Sequence, residues 1–172
     1  MSSSSHLARR FVGSLWPAGP AGPLDAWAVG HLLEGEVALW RRMSGPDRRH
    51  SVGVARRVER ALGAEATRPV LAAALLHDVG KVEARLGTYG RVVATLSARV
   101  AGPEMATAWR RQRGFIRRVG LYLHHDRLGG DLLALAGSDP LTEAWAREHH
   151  QPVDQWTVAR PLALALKAAD DD

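Results

Sequence analysis

The chain of 172 residues contains no cysteine. That excludes a disulfide framework, thiolate-bound zinc, iron–sulfur clusters and thiol catalysis, and leaves His, Asp and Glu to hold any metal. Aromatic residues are scarce, at 6%. No basic stretch is interleaved with them as a stacking platform, so nucleic acid is not expected as a partner. No apolar run approaches the ~18 residues that cross a bilayer, and no membrane partner is expected either. Strand-like alternation of apolar and polar residues is missing throughout.

What is present is an ordinary globular balance, 46% apolar and 24% charged, in a length that fits one domain. The net charge is +5, and nearly all the cations are arginine. Such a surplus suits a polyanionic ligand such as a phosphate ester, and equally suits plain solubility. Residues 1–23 form a serine run followed by a Pro/Gly/Ala segment. This reads as a loose N-terminal arm whose Phe11, Leu15 and Trp16 can dock on the body. It has no continuous apolar core of a signal peptide, which predicts a cytoplasmic protein. No oligomeric state is encoded in any pattern.

Residues 24–172 read as a single all-α domain. Apolar spacing predicts a helix over 23–43, ended by Ser44-Gly45-Pro46, and a second over 47–63 capped by Asp47. An Ala-rich third helix opens at Thr67-Arg68-Pro69. A fourth covers 89–100, and Gly102-Pro103 separates it from a long basic helix ending near His124. Shorter helices follow over 128–135 and 141–149. A last one fills 155–172, where Pro161 points to a later start or a kink.

Three places carry chemistry. His77-Asp78-Val79-Gly80-Lys81 ends the third helix. Neighbouring residues point about 100° apart on a helix, so His77 and Asp78 meet one ion only where the helix end presents both to a shared cavity. Because they follow the apolar run 70–76, both groups need partners. His50 shares a face with Val54, a position where a satisfied boundary histidine is the ordinary reading. His124, His125, His149 and His150 form two adjacent pairs. Attraction to the last carbonyls of a helix explains single cases, but four such residues with a His-Asp pair upstream fit a polynuclear metal site better.

Taken in order, these residues resemble the HD-domain superfamily of metal-dependent phosphohydrolases. The likeness rests on His50-Ser51, on His77-Asp78-Val79-Gly80-Lys81, and on an aspartate after Ala168-Ala169. His125-Asp126-Arg127-Leu128-Gly129-Gly130-Asp131-Leu132-Leu133 is similar to the HPxxGAxLL segment of the HD-GYP branch, and His149-His150-Gln151-Pro152-Val153-Asp154 to its HHExxD segment. The likeness spans about residues 44–172. The Gly-Tyr-Pro loop of that branch is absent, Trp156 and Thr157 following Asp154 instead, and Gln151 replaces the usual Glu. Standard cyclic-di-GMP hydrolysis is therefore not implied.

The resemblance implies a helical bundle around a dinuclear centre. His50, His77, Asp78 and Asp170 would hold one divalent ion, and Asp78 would bridge to a second held by His125, His149 and His150. Imidazole and carboxylate without thiolate suit Fe or Mn first, then Co, Ni or Zn. The implied reaction is cleavage of a small phosphorylated substrate (a nucleotide, cyclic nucleotide or similar ester) by a metal-activated hydroxide. Asp78 and Lys81 are the catalytic candidates. Lys81 either reaches a phosphate oxygen or leaving group, or is a solvated lysine at a helix end. Asp170 falls on the stripe of Leu162, Leu166 and Ala169, with Asp171 as the fallback. Asp154 either orients a ligand histidine or caps the last helix. Arg91 and the arginines of 110–118 either contact substrate or form a solvated face. His124 is read as a neighbour of the site, His6 and His31 as surface residues, and the tryptophans as packing anchors.

Two other classes share this series: a mixed-valent di-iron oxygenase and a non-catalytic signalling module. His150 points toward hydrolysis, since it leaves the second metal fewer open positions for oxygen. The complete ligand set points away from a degenerate module.

Overall fold

The computed structural model describes residues 18–171, apart from the side chains of residues 88–89 and 98–104. Phe11, Leu15, Trp16, His6 and the rest of the arm before residue 18 lie outside that range. The described residues form ten α-helices and no strand. They are α1 (Gly22–Val29), α2 (Glu34–Arg42), α3 (Gly45–Leu62), α4 (Arg68–Leu76), α5 (Lys81–Ala84), α6 (Thr88–Trp109), α7 (Gly114–Leu123), α8 (His125–Leu135), α9 (Pro140–Glu148) and α10 (Arg160–Asp171).

Prolines open several helices. They sit in the first two positions of α1, α3, α4 and α9, where the missing N–H would have no helical partner anyway. Pro161 plays the same part in α10, which starts later than the apolar pattern alone predicts. The single helix expected over 23–43 is two. The chain turns at residues 30–33, and the Glu36 carboxylate accepts the Leu33 N–H at 2.7 Å to start α2 afresh. Asp47 is not the cap of α3. Ser44 is, its hydroxyl accepting the Asp47 N–H at 3.3 Å.

The break predicted at Gly102-Pro103 also moves. α6 continues to Trp109, and the chain turns at 110–113 before Gly114, whose φ is +62°. A proline inside a helix costs roughly 3 kcal/mol. Packing of α6 along α7 outweighs that local penalty, with Ala94 and Ala106 of α6 buried.

The main core is organised around α4. Every residue from Val70 to Leu76 is buried, α3 and α9 pack on either side, α10 lies on α3 and α8 on α9. Burying α4 on all faces stabilises by about 1.5–3 kcal/mol for each large apolar side chain. It also forces the two ionisable residues that follow α4 into the interior. A second, smaller core joins Ala84 of α5, Leu86 of the connection that follows it, Ala94 of α6, and Val119 and Leu121 of α7.

Candidate metal centre

Past Leu76 the chain makes a tight turn, with Val79 N–H donating to Leu76 O and Lys81 N–H to Asp78 O, both at 3.0 Å. The turn delivers His77 and Asp78 to the interior at 2% and 4% exposure. Gly80 makes this possible. A Cβ there would lie 1.9 Å from His125 O and 2.6 Å from Gly129 N, so only glycine lets the turn rest on the start of α8. That contact brings His125 alongside. The end of α9 adds His149 and His150, α3 adds His50, and α10 adds Asp170.

The donors fall into two groups that share one residue. His50, His77 and Asp78 form one; Asp78, His125, His149 and His150 form the other. Asp78 turns a different oxygen to each. Its Oδ2 is 3.5 Å from His77 Nε2, while its Oδ1 is 3.2 Å from His125 Nε2 and 3.8 Å from His149 Nε2. Asp170 Oδ1 is 2.9 Å from His50 Nε2 and 3.6 Å from His77 Nε2. His150 Nε2 is 3.2 Å from His125 Nε2.

Hydrogen bonds fix which nitrogen of each ring faces the cluster. Nδ1 of His77 donates to Ala74 O at 3.0 Å, Nδ1 of His125 to Tyr122 O at 2.8 Å, and Nδ1 of His149 to Ala146 O at 3.0 Å. A carbonyl can only accept, so the proton sits on Nδ1 and Nε2 turns inward. The Nε2 atoms of His77 and His149 are buried with no hydrogen-bond partner. An unsatisfied buried polar atom costs about 1–3 kcal/mol. Inward-facing Nε2 atoms around ionised carboxylates, their Nδ1 atoms anchored on backbone carbonyls, are what a cation requires. These buried His/Asp groups can hold a metal ion.

Electrostatics agree. Burial would raise the Asp78 carboxyl, but the Lys81 ammonium, His77 and His125 hold it well below the ordinary carboxylate range. Burial acts the same way on Asp170, and His50 and His77 more than reverse it. His77 is the reverse case: burial lowers it, yet Asp78 and Asp170 push it above the usual imidazole value. Burial, reinforced by neighbouring imidazoles, lowers His149 well below that value and brings His150 down to about 4. Both are thus neutral, the ligand form, near pH 7.

All seven residues expected to bind metal are brought together: His50, His77, Asp78, His125, His149, His150 and Asp170. Asp170 is buried among them, whereas Asp171 is exposed and pairs with Lys167 at 2.9 Å, so the fallback is not needed. Lys81 is not a solvated lysine. Its ammonium is bound to Asp78 Oδ2, and its side chain is 14% exposed. Asp154 neither caps α10, which begins six residues later, nor reaches a ligand histidine; it is exposed in a short turn. His31 is half-buried on Trp27 instead of lying on the surface. His124 turns away toward Gly120 O and Thr107. Arg91 is taken by Asp47, and the arginines of 110–118 are exposed.

Two features escaped the sequence reading. Asp47, three residues before His50, forms a paired contact with Arg91, 44 positions away, which no local pattern shows. Glu148 accepts the N–H groups of Thr157 and Val158, closing the turn behind His149 and His150.

No protein-family model, curated protein or solved structure matches the chain. The likeness to the HD superfamily rests on its motif series.

Proposed function

We propose that the chain is a metal-dependent phosphohydrolase, cleaving a small phosphate ester at a pair of divalent transition metals. One observation carries this reading: a single buried carboxylate, Asp78, presents one oxygen to each of two histidine groups. His50, His77 and Asp170 would complete the first metal's ligands, and His125, His149 and His150 the second's. The donor set favours Fe or Mn, then Co, Ni or Zn. Two ions so held supply Lewis acidity toward a phosphoryl group and an acidified water.

The chain's own residues prepare that chemistry. Lys81 keeps Asp78 ionised and a positive charge beside it. Carbonyls of Ala74, Tyr122 and Ala146 hold three imidazoles in the tautomer that offers Nε2. Among the donors, His150 is the exposed one, so substrate approaches from the C-terminal end of α9. His150 also gives the second group four donors, which favours hydrolysis over oxygen activation with its need for open positions.

Elemental analysis of the protein as isolated tests the centre, and release of aryl alcohol from an aryl phosphodiester without oxygen tests the reaction. The expected result is about two transition-metal ions per chain and oxygen-independent cleavage, both lost in Asp78→Ala. Turnover that requires oxygen, or metal-loaded protein inert toward phosphate esters, overturns the proposal.

A further inference from the structure

The turn between α6 and α7 is strongly basic. Arg110, Arg111, Arg113, Arg117 and Arg118 are all exposed, and residues 105–125 contain no Asp or Glu. In the same stretch Met105, Phe115 and Ile116 are 48%, 49% and 50% exposed. The apex is well built. A Cβ on Gly120 would lie 2.5 Å from Arg110 N, so α7 lies directly against the end of α6. Val119 and Leu121 already fill the smaller core, and Arg118 Nε donates to Ala84 O at 2.9 Å. Phe115 and Ile116 are thus left outside by a helix whose inner face is satisfied.

We propose that this apex docks on an anionic lipid surface, with Phe115 and Ile116 entering the boundary between headgroups and acyl chains and the arginines lying among the headgroups. Charge complementarity selects the occupant. A second copy of this face would set arginine against arginine. Nucleic acid would satisfy the charge, but of the three exposed apolar residues only Phe115 could stack on a base, whereas Ile116 and Met105 suit acyl chains. The absence of a long apolar run excludes only a helix that crosses the bilayer; adsorption needs nothing more than a basic rim and an apolar tip. The inference is independent of the phosphohydrolase reading.

Sedimentation of the full chain with vesicles tests it, using phosphatidylcholine alone and phosphatidylcholine mixed with phosphatidylglycerol. Binding is expected to the anionic vesicles only. It should weaken on the order of tenfold as salt rises from about 0.1 M to about 1 M, which contracts the screening length from about 10 Å to about 3 Å. The double variant Phe115→Ser, Ile116→Ser should bind on the order of tenfold more weakly with unchanged helicity, as both side chains are outside the core. In Phe115→Trp, added fluorescence that shifts to the blue on anionic vesicles reports insertion without deleting the tip. Equal binding to neutral vesicles, binding to neither, binding indifferent to the serine substitutions, or retention by homopolymeric RNA without vesicle binding overturns the proposal.

Discussion

At the scale of single residues, the centre depends on how each imidazole is tied down. His77 and His149 commit Nδ1 to backbone carbonyls and leave Nε2 buried without a partner. Asp78→Asn removes the shared charge with little change in shape. Equilibrium dialysis should show it losing most bound metal, while Asp171→Asn, altering an exposed pair with Lys167, should bind as the native chain does. The raised affinity of His77 for protons has its own consequence. A metal taking Nε2 of His77 must displace a proton below the raised pKa, so apparent affinity climbs with pH until that value is passed and then levels off. Calorimetric titration in buffers of different ionisation enthalpy should detect the released proton below that point and lose it above. The sequence singled out these residues by type and order. It could not show that Asp78 gives each histidine group its own oxygen.

At the scale of elements, the contact of the turn after α4 with the start of α8 is the joint on which the two histidine groups meet. Gly80→Ala places a Cβ against His125 O, a backbone atom fixed by its helix. Overpacking of this kind costs about 1–3 kcal/mol. Urea unfolding should show that loss, and metal binding should fall with it because His125 is pushed away from Asp78. Helix boundaries show the limits of local reading. α4 was legible because Thr67-Arg68-Pro69 and an unbroken apolar run state it locally. α6 was not, because packing against α7 carries it through Pro103 and the turn falls later, before Gly114.

At the scale of the whole molecule, the Asp47–Arg91 pair links α3, one turn before His50, to α6 in the smaller core. The pair is mostly buried, at 11% and 22% side-chain exposure. Burial would raise the Asp47 carboxyl, but the hydrogen bonds and charge of Arg91 hold it below its ordinary value. A depressed carboxyl contributes stability that is present above the unfolded pKa of about 3.9 and is lost as pH falls through the folded value. Asp47→Asn should therefore cost about 1.5–3 kcal/mol at neutral pH, as expected for a hydrogen bond to charge. Melting should show the difference between native and variant holding from neutral pH to about pH 5 and shrinking as pH falls below about 4. A difference independent of pH would assign the loss to packing instead of charge.

By itself the sequence determined the class and the inventory. Helical spacing without strand alternation made the chain all-α, the lack of cysteine confined any metal to nitrogen and oxygen donors, and the ordered histidines and aspartates named the candidates. Tertiary structure alone decided their grouping. Whether His50 and Asp170, 120 positions apart, meet at 2.9 Å depends on α10 lying along α3, and which cations stay free depends on partners such as Asp47 and Asp78. Periodicity reports one face of one helix. Distances between side chains on different helices follow from how buried surfaces fit together, which no local window contains.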